Sequence, residues 1–335
     1  MSDAATVHTS AASSYDKITK QHAGGDKPED VVPYRHFNNY IKKMLVQFAA
    51  TRKSPTRTAA GGFSVLDCAS GRGGDLGKWL YAHVVPPASR AVGEEPPLPL
   101  VRYFAADISP ECIKEAQRRT GMMTKDLPVD RVATLGIEFH VANCFDDAFW
   151  KDEVLAKGMH FDIISVQFAF HYGCDSYESV AKIMANVAAA LTPGGCFIAT
   201  IVDAEELADR IATERLKNGL YNITFPTEAE SGEDSSVAQV RSKKAKKLPI
   251  GVPYHFQLEG HVDNVEYTIP FEDLQKAAEA AGLLDEPSMS FPFRSKIATY
   301  EADPKAKKQL KGASLSSDEK ELVAIYRTAC FVKKL

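Results

Sequence analysis

No Cys-x-x-Cys pair occurs in this chain, and its six cysteines (68, 112, 144, 174, 196 and 330) are scattered singly. That spacing argues against a structural zinc site or a disulfide scaffold and points to a reducing compartment. No apolar run approaches the roughly 20 residues that a bilayer-spanning helix needs. The opening stretch, MSDAATVHTSAASSYDKITK, has no apolar core of the kind a secretory signal carries, which argues against secretion. Positive charge is not in excess either, since the net charge is −4. A nucleic-acid partner would therefore have to be met by a local basic patch, not by a global field. No internal repeat is visible.

What is present is a globular composition, with 44% hydrophobic and 25% charged residues over 335 positions. That suffices for one large α/β domain with insertions or for two smaller domains. Residues 1–30 are rich in Ala, Ser, Thr and charge and read as a disordered tail. Phe37, Tyr40, Ile41, Met44, Leu45 and Phe48 recur at helical spacing and predict a helix over His36–Ala50. The apolar run FSVLDCA then ends in a glycine-rich turn followed by the helical pattern DLGKWLYAHV. VRYFAAD, IEFHVAN, FDIISVQF and GGCFIATIV read as further strands, with PECIKEAQRR and SVAKIMANVAAAL as helices between them. Strands alternating with helices imply a parallel sheet covered on both faces. LVAIYRTACFVKK reads as a closing strand. Pro86–Leu100, Thr227–Leu248 (an acidic block followed by RSKKAKK) and Ala302–Glu321 read as flexible insertions.

Asp67-Cys-Ala-Ser-Gly-Arg-Gly-Gly-Asp75 sits where the first strand turns into a helix. Glycines there let the backbone turn without a Cβ clash and approach a ligand closely. A dinucleotide loop would read G-x-G-x-x-G; this one has a different pattern, closer to loops that hold adenosylmethionine. Asp107 ends the second strand, where a carboxylate can accept both ribose hydroxyls or cap the next helix. Asn143 ends the third, where its amide oxygen can accept from an adenine amine or simply form a turn.

In order along the chain, RHFNNYIKKML, VLDCASGRGGDLGKW, DIISVQFAFHY, LTPGGCFIATIVD and VEYTIPF resemble the eukaryotic mRNA cap guanine-N7 methyltransferases. The resemblance runs from about Tyr34 onward. It implies a Rossmann-like class I methyltransferase over 31–335, a single domain with a mostly parallel seven-stranded sheet and a cap-binding insertion late in the chain. Its cofactor would be S-adenosyl-L-methionine, leaving S-adenosyl-L-homocysteine. The residues that match the family's cofactor contacts are Lys42, Ala69, Gly71, Asp75, Asp107, Asn143, Gln167 and Tyr172. The cap would fall to Asn38, Asn39, Arg72, Lys78, Arg119, Phe168, His171, Glu266 and Tyr326. The family has Gly-Cys where Ala69-Ser70 stands, Lys at Arg72 and Asp at Asn143. Ala69 fits such a loop if its φ is negative, and Asn143 keeps the acceptor without the charge.

The resemblance further implies capped RNA (GpppRNA) as the partner, with other capping enzymes or the transcription machinery beside it. It also implies a monomer, a nuclear location, and no metal or membrane. Guanine N7 carries a lone pair and no proton, so no residue is assigned as general acid or base. Phe168, His171, Tyr172 and Glu266 would act by positioning. Two other readings stay open on the residues alone. One is a methyltransferase of a different substrate; the other is a catalytically weak cap- or RNA-binding regulator.

Overall fold

The computed structural model describes residues 4–21, 32–52, 55–82, 98–226, 247–258, 260–311 and 313–335. Its main sheet has seven strands in the order β3-β2-β1-β4-β5-β10-β9. These are β1 (Phe63–Cys68), β2 (Leu100–Asp107), β3 (Gly136–Val141), β4 (Phe161–Gln167), β5 (Leu191–Val202), β9 (Leu283–Asp285) and β10 (Tyr326–Lys333). Strands β3, β2, β1, β4 and β5 pair in parallel, while β10 runs antiparallel between β5 and β9.

Strands covered on both faces are mostly apolar, and β4 is buried over Phe161–Val166, where the polar Asp162 and Ser165 are held by hydrogen bonds. Successive side chains enter opposite cores. Leu66 and Cys68 pack with α7 (Tyr177–Ala190) and the helix Phe271–Ala280. Phe63 and Val65 pack with α2 (Pro33–Thr51) and the short α4 (Leu76–Leu80), whose Trp79 is fully buried. The edge strand β3 is by contrast largely exposed. The expected α/β architecture therefore holds, and the expected helix over His36–Ala50 is longer by a few residues at its start.

A second sheet, β6 (Tyr221–Thr224), β7 (Pro253–Leu258) and β8 (Val262–Tyr267), is an antiparallel meander. It stands where the late insertion was expected and sets Tyr254 directly across from Glu266.

Three expectations need correction or narrowing. Within the opening segment read as disordered, Ala4–Gln21 forms helix α1, which docks on β8 and α5 (Pro110–Met123). Val7, Ala11 and Thr19 are buried at four-residue multiples, so tertiary docking supplies what a polar average composition conceals. Ala302–Glu321 is not a loop throughout. Asp303 accepts from Lys305 N–H at the start of Pro304–Gln309, and Ser316 with Glu319 forms a reciprocal capping box opening Ser317–Ala324. Leu322–Ala324 accordingly finish a helix, and the closing strand begins only at Tyr326. Of the other two insertions, residues 86–97 and 227–246 lie outside the described residues.

Candidate functional site

The turn after β1 is clipped to the end of β2. Ser70 N–H donates to Ala106 O at 3.0 Å, and Gly71 N–H donates to Asp107 Oδ2 at 2.7 Å. Positive φ values follow at Ala69 (52°), Gly71 (54°) and Gly73 (68°). Gly73 must also lack a side chain for space, since a Cβ there would lie 3.0 Å from Ala116 Cβ on α5. Ala69 contradicts the expectation of a negative φ, because the hairpin-tight exit from β1 demands the left-handed region. For a residue with a Cβ that costs about 1–2 kcal/mol.

Beside this turn lies a buried ion cluster. Lys42 of α2 and Lys78 of α4 converge on Asp75, at 2.8 and 2.7 Å from its Oδ1. Burial alone would raise the Asp75 pKa, but the two ammonium groups outweigh it and hold the carboxyl down to about 2. Asp67, one strand-end away, is pushed up to about 7 by burial and then by the charge of Asp75. The phenol of Tyr103 donates to it at 2.5 Å. Two carboxylates of opposite tendency thus share one corner of the site.

Asp107 accepts from Gly71 and Ser109 N–H, and burial raises its pKa against those two bonds. Each carboxylate oxygen keeps a lone pair for a ligand. Together these groups line a cavity of about 290 Å³ that includes Lys42, Ala69, Gly71, Asp75, Asp107, Asn143, Gln167 and Tyr172, with Phe168 at its margin. All eight residues expected at the cofactor are thus brought together. Gln167 Oε1 and Ser70 Oγ are buried and have no hydrogen-bond partner among the described residues. Two orphaned polar atoms beside a concave, half-apolar wall are what a bound polar ligand would satisfy.

Sequence reasoning missed the opposite wall. Helix α1 contributes His8, Ala11 and Tyr15 to the cavity. Asp16 accepts from Ser109 Oγ at 2.5 Å, and the Tyr15 and Tyr172 hydroxyls meet at 3.2 Å. The four-residue recurrence of Val7, Ala11 and Tyr15 was the available signal.

Past Tyr172 the cavity wall continues into an aromatic and acidic cluster. Phe168, at φ 59°, stands edge-on to Tyr326 with ring centroids 4.9 Å apart. The 3-10 turn Phe170–Gly173 carries His171, whose Nε2 lies 3.4 Å from Glu266 Oε1. Tyr254 OH donates to Glu266 Oε2 at 2.8 Å. Glu266 is only 2% exposed, so it is a buried carboxylate and not a solvated strand residue. Asn38 shares α2 with Lys42, and its Oδ1 is buried without a partner among the described residues; Asn39 is exposed. The basic residues do not form an open cluster: Lys78 is engaged by Asp75 and Arg119 by Glu115 of its own helix at 2.8 Å. Arg72 sits in the glycine turn between them. Among the described residues no group of three or more metal-binding side chains occurs, and no helix is long and apolar enough to cross a membrane.

The strand order, with its antiparallel β10, and the glycine turn clipped to an acidic strand end define a class I methyltransferase fold. The chain belongs to the mRNA (guanine-N(7))-methyltransferase domain family, whose model matches residues 2–334. It is 31% identical over 252 residues to mRNA cap guanine-N(7) methyltransferase 1 of Oryza sativa subsp. japonica, covering 74% of this chain and 58% of that protein. The Candida albicans mRNA cap guanine-N(7) methyltransferase is 28% identical over 353 residues, covering 95% and 68%. Against the rice, Arabidopsis thaliana and Schizosaccharomyces pombe relatives the chain spans 58%, 63% and 60% of their length. Among solved structures, the Synechocystis PCC 6803 magnesium protoporphyrin IX methyltransferase with bound SAH is 10% identical at a TM-score of 0.48, covering 99% and 100%; no residue is carried across that distance.

Proposed function

We propose that this chain transfers a methyl group from S-adenosylmethionine to N7 of the terminal guanine of GpppRNA, in the nucleus. The observation that carries the reading is Glu266. This buried carboxylate is faced by His171 and Tyr254. Burial first, and then its charge, raise the phenol pKa of both Tyr326, half of the aromatic pair with Phe168, and Tyr172, which lines the polar cavity. Guanine is the base that offers adjacent N1–H and N2–H₂ donors, and a carboxylate is their matching acceptor.

When bound, S-adenosylmethionine supplies an electrophilic methyl group on a sulfonium. Lys42 would meet its carboxylate, Asp107 its ribose and Asn143 its adenine, and the orphaned Gln167 Oε1 would gain a donor. N7 needs no deprotonation, so the residues act by holding and by charge. Fixing two reactants in line can contribute on the order of 7–11 kcal/mol. As positive charge reaches the purine, the attraction of Glu266 strengthens, which favours the transition state over the ground state. The face of Phe168 or Tyr326 turned to the cationic purine would add about 0.5–2 kcal/mol. Lys78 and Arg119 would take the triphosphate by exchanging their carboxylate partners for phosphate oxygens, with Arg72 of the glycine turn beside them.

Glu266→Gln tests this. The amide still accepts from Tyr254 but sets a donor against guanine's donors and removes the charge. Methylation of GpppRNA should fall roughly 100-fold, with adenosylhomocysteine affinity unchanged. A wild-type rate, or cofactor affinity lost in step with activity, would remove Glu266 from guanine recognition.

A further inference from the structure

The orientation of the Asn143 side chain is determined by its neighbours on two sides. Phe145 N–H donates to Oδ1 at 3.1 Å, which identifies that atom as the oxygen. Nδ2 then donates to His8 Nδ1 at 2.9 Å. The other ring nitrogen of His8 faces the Tyr172 carbonyl at 2.9 Å. A carbonyl only accepts, so Nε2 carries the proton and Nδ1 presents its lone pair to the amide. The chain of donors and acceptors, from Asn143 through His8 to the backbone of Tyr172, has one consistent assignment. His8 lies on α1, half-buried, and lines the same cavity as Asn143.

We propose that His8 is the positioning residue through which Asn143 recognises the 6-amino group of an adenosyl ligand. The proposal rests on the cofactor reading above. A primary amide is two-faced, because a half-turn about its terminal torsion exchanges acceptor for donor; at Asn143 the Phe145 N–H opposes that turn on one side and His8 on the other. Turned the wrong way, Asn143 would offer N–H to an adenine amine and would favour a 6-oxo purine instead. By engaging Nδ2, His8 turns the donor face away from the ligand. Oδ1, which spends one lone pair on Phe145, is left as the face that meets the base. A carboxylate at position 143 would need no such latch, having acceptors on both sides.

The test compares two probes by calorimetry on the whole chain: S-adenosylhomocysteine and its inosine analogue, which carries a 6-oxo group in place of the amine. Wild-type protein should prefer the adenosine probe. In His8→Ala that preference should shrink by about tenfold, the scale of one lost orienting hydrogen bond. Adding Asn143→Asp to His8→Ala should restore it, since a carboxylate cannot be misoriented. A merely structural role for His8, through the seating of α1, would weaken both probes equally and leave the second substitution without effect. That result would overturn the assignment. If wild-type protein binds neither probe, the cofactor reading falls and this one with it. If it binds both and His8→Ala leaves their ratio unchanged, the His8 assignment alone falls.

Discussion

Asp75→Asn removes the anion that two buried lysines share, and the structure sets both the size and the pH dependence of the effect. Lys42 and Lys78 are each 17% exposed and lie within 3 Å of the same carboxylate. Removing one partner of a buried pair typically costs about 3–5 kcal/mol, because the other charge is left uncompensated. Here two charges are left, but Asp67 stands close enough to take over part of the role. Its carboxyl is held up to about 7 by burial and by the repulsion of Asp75, against an ordinary 3.8. Because the native state holds that proton more tightly than the unfolded chain, the Asp67 contribution is full below about pH 4. It is lost as the pH rises through 7. Asp75 behaves oppositely: its contribution is present above its ordinary 3.8 and lost as the pH falls towards 2. In Asp75→Asn the repulsion disappears, Asp67 ionises more readily, and it faces the lysines as a charge at neutral pH. Urea unfolding should therefore show a loss of about 3 kcal/mol at pH 5.5 and a smaller loss at pH 8. A loss under about 1 kcal/mol, or one of equal size at both pH values, would refute the shared-anion argument.

Two further substitutions probe the glycine turn. Ala69→Gly relieves a left-handed residue at φ 52°. Against the greater chain entropy of glycine, a net gain of about 0.5–1 kcal/mol in urea unfolding is expected, and a loss would mean the Ala69 methyl is needed for packing. Asp107→Asn should weaken adenosylhomocysteine binding at least tenfold, about 1.4 kcal/mol, while one amide oxygen continues to hold a backbone N–H. Unchanged affinity by calorimetry would take Asp107 out of the ligand site.

The strands of the main sheet could be read in the sequence because a parallel strand buried on both faces leaves a mostly apolar run, as FDIISVQ does with Phe161, Ile163, Ile164 and Val166. The glycine turn was readable for a local reason as well, since its spacing and its neighbours lie within nine residues. Helix α1 was not, because the side chains it buries are small or polar, Val7, Ala11 and Thr19, and its stability comes from surfaces contributed by α5 and β8. The ion cluster at Asp75 needs Lys42, thirty-three positions away, and the Tyr254–Glu266 pair needs the register of two strands. Neither distance nor register is written in a local pattern. The sign of φ at Ala69 likewise follows from how sharply the chain leaves β1, which composition does not encode.

Strand β10 has a consequence for how the protein comes to be made. It fills the gap between β5 and β9, and its first residue, Tyr326, is half of the aromatic pair with Phe168. On the ribosome β5, complete at Val202, emerges long before Tyr326–Lys333. Throughout that interval a long strand, buried over most of its length in the folded protein, has an unpaired edge, the kind of surface that templates pairing with another nascent chain. The Phe168–Tyr326 side of the site is thus completed only after Tyr326 has emerged. A chaperone that shields this edge until β10 arrives would protect the yield of folded protein and leave the chemistry untouched.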